Sequence, residues 1–231
     1  MHPSNILKAV FVYTTANVTL SGKNTGWYLP EAAYPYYVLS PHVQIDFASL
    51  TGPNPPVDLS SITAYPDDNK KFLGDKKVQK LFANAKKLSQ VKAKDYDLIF
   101  YVGGLGPVMD LAPSPLNAKV VSEFWQAGKI VSAICHGPSA FVGAVDANGD
   151  HIIKGRRFAG LTDAEEEADG KTKEIPFSLE QRLTYHGGTM EKAGIWQEKV
   201  VVDGRLITGQ NPASGDKLGK EMLKALRNLK K

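Results

Sequence analysis

Four short apolar runs, each too short for a helix and each followed by a stretch with helical spacing, constrain this chain more than any other feature. They are Lys8–Tyr13 (KAVFVY), Val43–Ser49 (VQIDFAS), Asp97–Val102 (DLIFYV) and Lys129–Ile134 (KIVSAI). Runs of β-branched and aromatic residues without polar alternation read as strands buried on both faces. Between them, Thr25–Leu39, the lysine-rich stretch around Leu73–Leu88, Leu116–Ala127 and Pro138–Val145 read as helices. Strand and helix in alternation predict an α/β fold, a mostly parallel central sheet with helices on both faces. Sites in such sheets form just after the carboxyl ends of strands, so the residues that follow each run are the ones to inspect.

The rest of the chain fits one domain spanning 1–231. Lys199–Val202 and Arg205–Thr208 flank Asp203-Gly204, a hairpin signal, and a last amphipathic helix is expected over Lys217–Lys231. Thr51–Asp68, with four prolines, reads as a loop, and Thr162–Pro176 as an acidic, polar interruption. The charge is +4, much of it on lysines between Lys70 and Lys94. Leu73, Val78, Leu81, Phe82, Ala85 and Leu88 recur among them, so the lysines form the solvated face of one amphipathic helix rather than a nucleic-acid surface. No apolar run approaches the roughly 18 residues of a membrane span, and Met1–Asn5 shows no secretory pattern. A cytoplasmic protein is expected.

The single cysteine rules out an internal disulfide and a thiolate metal cluster. It lies in Ala133-Ile-Cys135-His136-Gly137-Pro138, where a buried strand stops and a helix is expected to start. Small residue, nucleophile and glycine at this spacing have the form of a nucleophile elbow, a turn too tight for bulky neighbours. A helix start beside the sulfur predicts a lowered thiol pKa. His136 adjoins it as a proton acceptor or a positive neighbour. Gly103-Gly104, after the Asp97–Val102 strand, either offers bare amides to an oxyanion or is simply a tight strand-to-helix turn. The loop lacks the ending of a phosphate loop, and Met109 breaks the dinucleotide fingerprint. Glu31, amid Trp27, Tyr28, Leu29 and Tyr34, is either at the surface or buried with a raised pKa.

These pieces carry a resemblance. Thr25-Gly26 through Glu31 to Pro35, Val43–Ser49, Asp95–Asp97, Gly103-Gly104 with Asp110, Ala133–Pro138, Gly160–Asp163 with the acids after it, and Asp203–Ser214 occur in the order found in the ThiJ/PfpI superfamily. Within it, the chain resembles the heat-shock protein 31-like, glutathione-independent glyoxalases. The resemblance implies a flavodoxin-like sandwich, usually a homodimer, with no metal or organic cofactor. It implies Cys135 as nucleophile, His136 as its partner, Glu31 as a buried acid on the sulfur, and Glu166 as the third acid, with Asp163 and Glu165 close enough to compete. The amides of Gly103, Gly104 and His136 would form the oxyanion site. The implied activity is that of a lyase acting on small 2-oxoaldehydes, without membrane or nucleic-acid partners. Leu105 departs from the pattern, because many relatives carry histidine there, and leucine cannot move a proton.

Other classes of protein use similar parts. A glutamine amidotransferase needs a downstream His-x-Glu, but His151 and His186 are followed by Ile152-Ile153 and Gly187-Gly188. A cysteine peptidase or deglycase on the same residues, a holdase for unfolded clients, and a redox sensor through Cys135 remain alternatives. Loss of Cys135 separates an enzyme from a holdase.

Overall fold

The computed structural model describes residues 6–229; Met1–Asn5, read for a leader, and Lys230-Lys231, the end of the stretch expected to be the last helix, lie outside it. The strands are β1 (Lys8–Tyr13), β2 (Gln44–Ser49), β3 (Lys86–Lys87), β4 (Leu98–Tyr101), β5 (Ile130–Ile134), β6 (Arg157–Phe158), β7 (Thr189–Met190), β8 (Val200–Asp203) and β9 (Leu206–Gly209). The helices are α1 (Leu29–Leu39), α2 (Leu59–Ala64), α3 (Pro66–Leu73), α4 (Lys76–Ala83), α5 (Gly106–Met109), α6 (Pro115–Gln126), α7 (Asp163–Ala168), α8 (Leu179–Tyr185) and α9 (Gly215–Asn228).

Seven strands form the main sheet in the order β3-β2-β1-β4-β5-β9-β8. All its pairings are parallel except β8 with β9, joined by the predicted hairpin. β6 and β7 make a separate parallel pair. Because successive strand residues point to opposite faces, β1 feeds two cores. Phe11 and Tyr13 pack with α1, α4 and α9 on one face, while Val10 and Val12 pack with α6 and α8 on the other. β2 lies to one side of β1 and β4 to the other, so the chain reverses its winding there, and the loops after β1, β4, β5 and β9 share one rim.

Five sequence expectations need correction, each for a local reason. The helix begins at Leu29 rather than Thr25, because Trp27 pairs with the chain at Pro56 and Asp58 and Pro30 occupies the first turn. The basic stretch is two helices and an edge strand. Gly74 ends α3, where a Cβ would stand 2.3 Å from the Lys70 carbonyl, and Asp75 caps α4 by accepting the Lys77 amide. Lys86 and Lys87 then pair with β2, their charges blunting the sheet edge. The Thr51–Asp68 segment contains α2, which Asp58 caps through the Ser60 amide. After Pro138 the helix is one 3-10 turn, Gly137–Phe141, because Asn117 takes the Ala140 carbonyl and Ser122 accepts from the Val145 amide. Thr162–Pro176 is interrupted by α7, capped by Thr162.

The rim itself is braced by a carboxylate. Asp110, behind the Gly103-Gly104 loop, accepts four hydrogen bonds from the turn after β1: the Thr14 and Thr15 hydroxyls and the Thr15 and Ala16 amides. Asp110→Ala should lower unfolding stability by about 3 kcal/mol, since it strands several donors at once. Denaturant unfolding measures this, and a loss under about 1 kcal/mol would mean the brace is redundant.

Candidate active site

The chain after β5 turns at Cys135, whose φ of 59° lies in the left-handed region that non-glycine residues rarely occupy. Its amide donates to the Gly209 carbonyl at the end of β9, and its carbonyl accepts from Leu161. Both hydrogen bonds fix the strained residue. A Cβ on Gly137 would stand 2.5 Å from the Tyr101 carbonyl and 3.3 Å from the Ala133 methyl. The small residues on either side of the cysteine are therefore required by the turn's closeness to β4 and to itself.

Around the sulfur the structure brings together most of the residues singled out from the sequence. His136 Nδ1 lies 3.7 Å from Cys135 Sγ, and its Nε2 lies 2.5 Å from Glu166 Oε2. The sulfur, imidazole and carboxylate all sit in buried positions. Among the three acids, Glu166 alone reaches the imidazole. Asp163 bonds Ser178 and Gln181, and Glu165 is fully buried in a network facing away from His136. α7 starts at a Thr162–Glu165 capping box, so its first turn is fixed and Glu166 is aimed as a consequence.

Glu31, at the first turn of α1, is fully buried. Neither of its oxygens has a hydrogen-bond partner of good geometry. Burial raises its pKa to about 8, while the Cys135 thiol, the Gly104 amide and more distant Lys171 only partly offset this. Burial also pushes the Cys135 thiol well above its usual range, and the charge of Glu31 pushes it further. The amides of Gly104 and His136 act in the opposite direction. The lowered thiol pKa expected from a helix start is opposed here by desolvation and by Glu31.

Gly104 and Gly103 divide their roles. Gly104, at φ 95°, fits where a Cβ would strike the Gly26 carbonyl at 2.2 Å, and it lines the cavity beside the sulfur. Gly103 lies one residue further from the cavity wall, packed against Glu31 and Cys135. A Cβ there would meet Glu31 Oε2 at 2.2 Å and Cys135 Cβ at 2.7 Å, so Gly103 makes room for the two groups to approach. The cavity measures about 670 Å³. Its walls include residues that no sequence signal marked: Tyr65 from an expected loop, Lys171 paired with Asp169, and Trp196 from an irregular segment. Leu105 lines it too, and packs with Val108 and Ile175. Among the described residues no cluster of three or more His, Cys, Asp or Glu is arranged to hold a metal ion.

A seven-stranded, mostly parallel sheet with a strained cysteine after a central strand defines an α/β protein with a nucleophile elbow. The model of the DJ-1/PfpI family matches residues 29–225, and the chain belongs to that family. It is 31% identical to glyoxalase 3 of Candida albicans, over 95% of this chain and 98% of that protein. It is 29% identical to the glutathione-independent glyoxalase HSP31 of Saccharomyces cerevisiae, over 99% and 100% of the two chains. The crystal structure of the 24 kDa rapid encystment protein of Francisella tularensis superposes with a TM-score of 0.90, at 32% identity, covering 96% of this chain and 99% of that one.

Two measurements test the electrostatics. The pH profile of Cys135 alkylation by a neutral reagent should have its midpoint above the ordinary value of about 8.5, and Glu31→Gln should move it down. A wild-type midpoint clearly below that value would show that the two amides outweigh burial. Glu31 also makes stability depend on pH. Its folded pKa is about 8 against an ordinary 4.5, so its cost is absent in acid, grows as pH rises through that interval, and then levels off. Glutamine cannot ionise. The stability of Glu31→Gln relative to wild type should therefore widen from about pH 5 to about pH 8. Parallel melting curves across that range would contradict the burial of an ionisable group.

Proposed function

We propose that this protein is a glutathione-independent glyoxalase, converting methylglyoxal to D-lactate and glyoxal to glycolate through a hemithioacetal on Cys135. The observation that carries the reading is the line from Cys135 Sγ through the His136 ring to Glu166, set in a cavity beside the buried acid Glu31. The two relatives whose printed names are glyoxalases, matched over nearly their full lengths, point to the same chemistry.

The steps follow from the positions of the protons. His136 Nε2 faces Glu166, so its Nδ1 is free to accept the thiol proton as the sulfur attacks the aldehyde carbon. The amides of Gly104 and His136 meet the oxyanion, which then takes the proton back and leaves His136 neutral. His136 next removes the hydrogen of C1 while Glu31, protonated at neutral pH, donates to the oxygen of C2, giving an enediol. His136 returns its proton to C2 while Glu31 takes the proton from O1, leaving a thioester of the 2-hydroxy acid. Water cleaves it, releasing the acid and the free thiol. No redox change occurs overall; one water is added. Glu166 accepts from Nε2 and holds the imidazole in the correct tautomer.

The substrate is a small aldehyde. We place the enzyme in the cytoplasm, as a homodimer in line with the resemblance noted above; among the described residues no helix is long and apolar enough to cross a membrane.

Incubation of purified protein with methylglyoxal in the absence of glutathione should yield lactate, and Cys135→Ser should abolish it. Glu31→Gln should nearly abolish turnover because it cannot exchange a proton. Glu166→Gln should cost about ten- to a hundredfold, the worth of one charge-assisted hydrogen bond. Equal, mild losses in the two carboxylate variants would remove both from the chemistry.

A further inference from the structure

The cavity is larger than a three-carbon substrate requires. At about 670 Å³ it falls in the range that holds drug-sized ligands. Its polar side chains are mostly engaged within the protein. Asp58 accepts the Ser60 amide and hydroxyl, Asp169 pairs with Lys171, and the Tyr34 hydroxyl donates to Asp68. What remains is largely ring and aliphatic surface, that of Tyr28, Tyr34, Tyr65 and Trp196 with Leu105 and Leu161, tipped by the Tyr28 and Tyr65 hydroxyls. Tyr28 and Tyr65 already meet edge to face, with centroids 6.1 Å apart.

Trp196 is the unusual member. It is 45% exposed although it lines the cavity, and its φ of 59° is a strained value for so bulky a residue. It sits in the irregular stretch between β7 and β8, which is tied down by a buried polar network. Glu165 Oε1 accepts the Trp196 amide and the side-chain amides of Gln210 and Asn211. Gln210 in turn accepts the Ala193 amide, and Asn211 donates to the Gln197 carbonyl. The other oxygen, Glu165 Oε2, accepts the amide and hydroxyl of Thr162, the cap of α7. One carboxylate therefore joins the helix that carries Glu166 to the wall that carries Trp196. A buried carboxyl group holds the Trp196 backbone at a strained φ, and with it the direction from which the ring enters the cavity wall.

We infer that Trp196 is a specificity-determining wall of the cavity, held there by Glu165 as a positioning residue, and that it favours 2-oxoaldehydes bearing a planar aromatic group on C2. The inference rests on the glyoxalase reading for the reaction, though not for the shape of the cavity. The aldehyde end meets Cys135, and the aromatic substituent lies among the tyrosines and the indole, where ring pairs prefer edge-to-face or offset contact.

Two readouts test it separately from the activity. The first is the ratio of kcat/KM for phenylglyoxal to that for methylglyoxal. The second is the ratio of Cys135 alkylation rates by 2-bromoacetophenone and bromoacetone, each normalised to a small free thiol and read by intact mass. The protein has one cysteine, so the mass reports this site alone. Wild type should prefer the aromatic partner in both. Trp196→Ala should lower both ratios roughly three- to tenfold, about the worth of one aromatic contact, and Trp196→Phe should restore most of the loss. Glu165→Gln should lower them as well; a purely structural Glu165 would lower the melting temperature and leave the ratios alone. A wild-type preference for the methyl partner, or ratios indifferent to Trp196→Ala, overturns the inference. If wild type turns over neither aldehyde, the glyoxalase reading fails, and the alkylation ratio still decides the wall.

Discussion

The left-handed turn at Cys135 is the constraint on which the site depends. A strand directed into the rim delivers its next residue into the loop layer, and only a sharp reversal places a side chain above the sheet with backbone amides beside it. L-residues resist that conformation at a cost of order 1 kcal/mol or more. Here the surroundings over-determine it: the amide is taken by Gly209 at the end of β9, the carbonyl by Leu161, and the following residues close against Tyr101 of β4. Three chain segments far apart in sequence thus fix one dihedral angle. The same contacts decide what the sulfur meets, because Leu161 leads into α7 and hence to Glu166, and Gly209 leads into Gln210 and Asn211.

Two adjacent glutamates show how one helical turn separates support from chemistry. Residues in sequence on a helix point about 100° apart, so Glu165 and Glu166 cannot share a partner. Glu165 faces inward to five donors and is a fully satisfied buried side chain. Glu166 faces the imidazole with one oxygen and leaves the other buried without a partner. A satisfied carboxylate is a scaffold; a half-satisfied one beside a titratable ring is a group whose energy changes when the ring gains a proton. The geometry of α7 therefore separates two chemically identical side chains more sharply than their sequence context does.

How much of this was legible in the sequence depends on the range of the signal. Buried strands announce themselves locally, and β1, β2, β4 and β5 fall within a residue or so of their expected limits. The elbow was legible because the tightness of the turn dictates small residues at fixed offsets. Helix interruptions were harder to see, because at Gly74-Asp75 the apolar spacing continues through the break and only the cap gives it away. The sign of the Cys135 pKa was not legible. Desolvation depends on what covers the sulfur, and Glu31, Gly104 and the 3-10 turn are brought to it by distant parts of the chain. Trp196 had no signal either, since it lies in a stretch without periodicity and reaches the cavity only through the Glu165 network.

The burial of Glu31 is the cost that accompanies the site. A carboxyl with both oxygens lacking good partners is among the less favourable groups a core can hold, and the Cys135 thiol, the Gly104 amide and Lys171 relieve it only in part. Gly103 brings it close to the cysteine, where any side chain would force the two apart. The arrangement makes sense only if the proton is kept for use. An exposed glutamate would be ionised at neutral pH and unable to donate; one with several amide donors would be ionised more firmly still. Isolation is what keeps this carboxyl in the acid form, so the missing hydrogen bonds and the proposed function have the same physical origin.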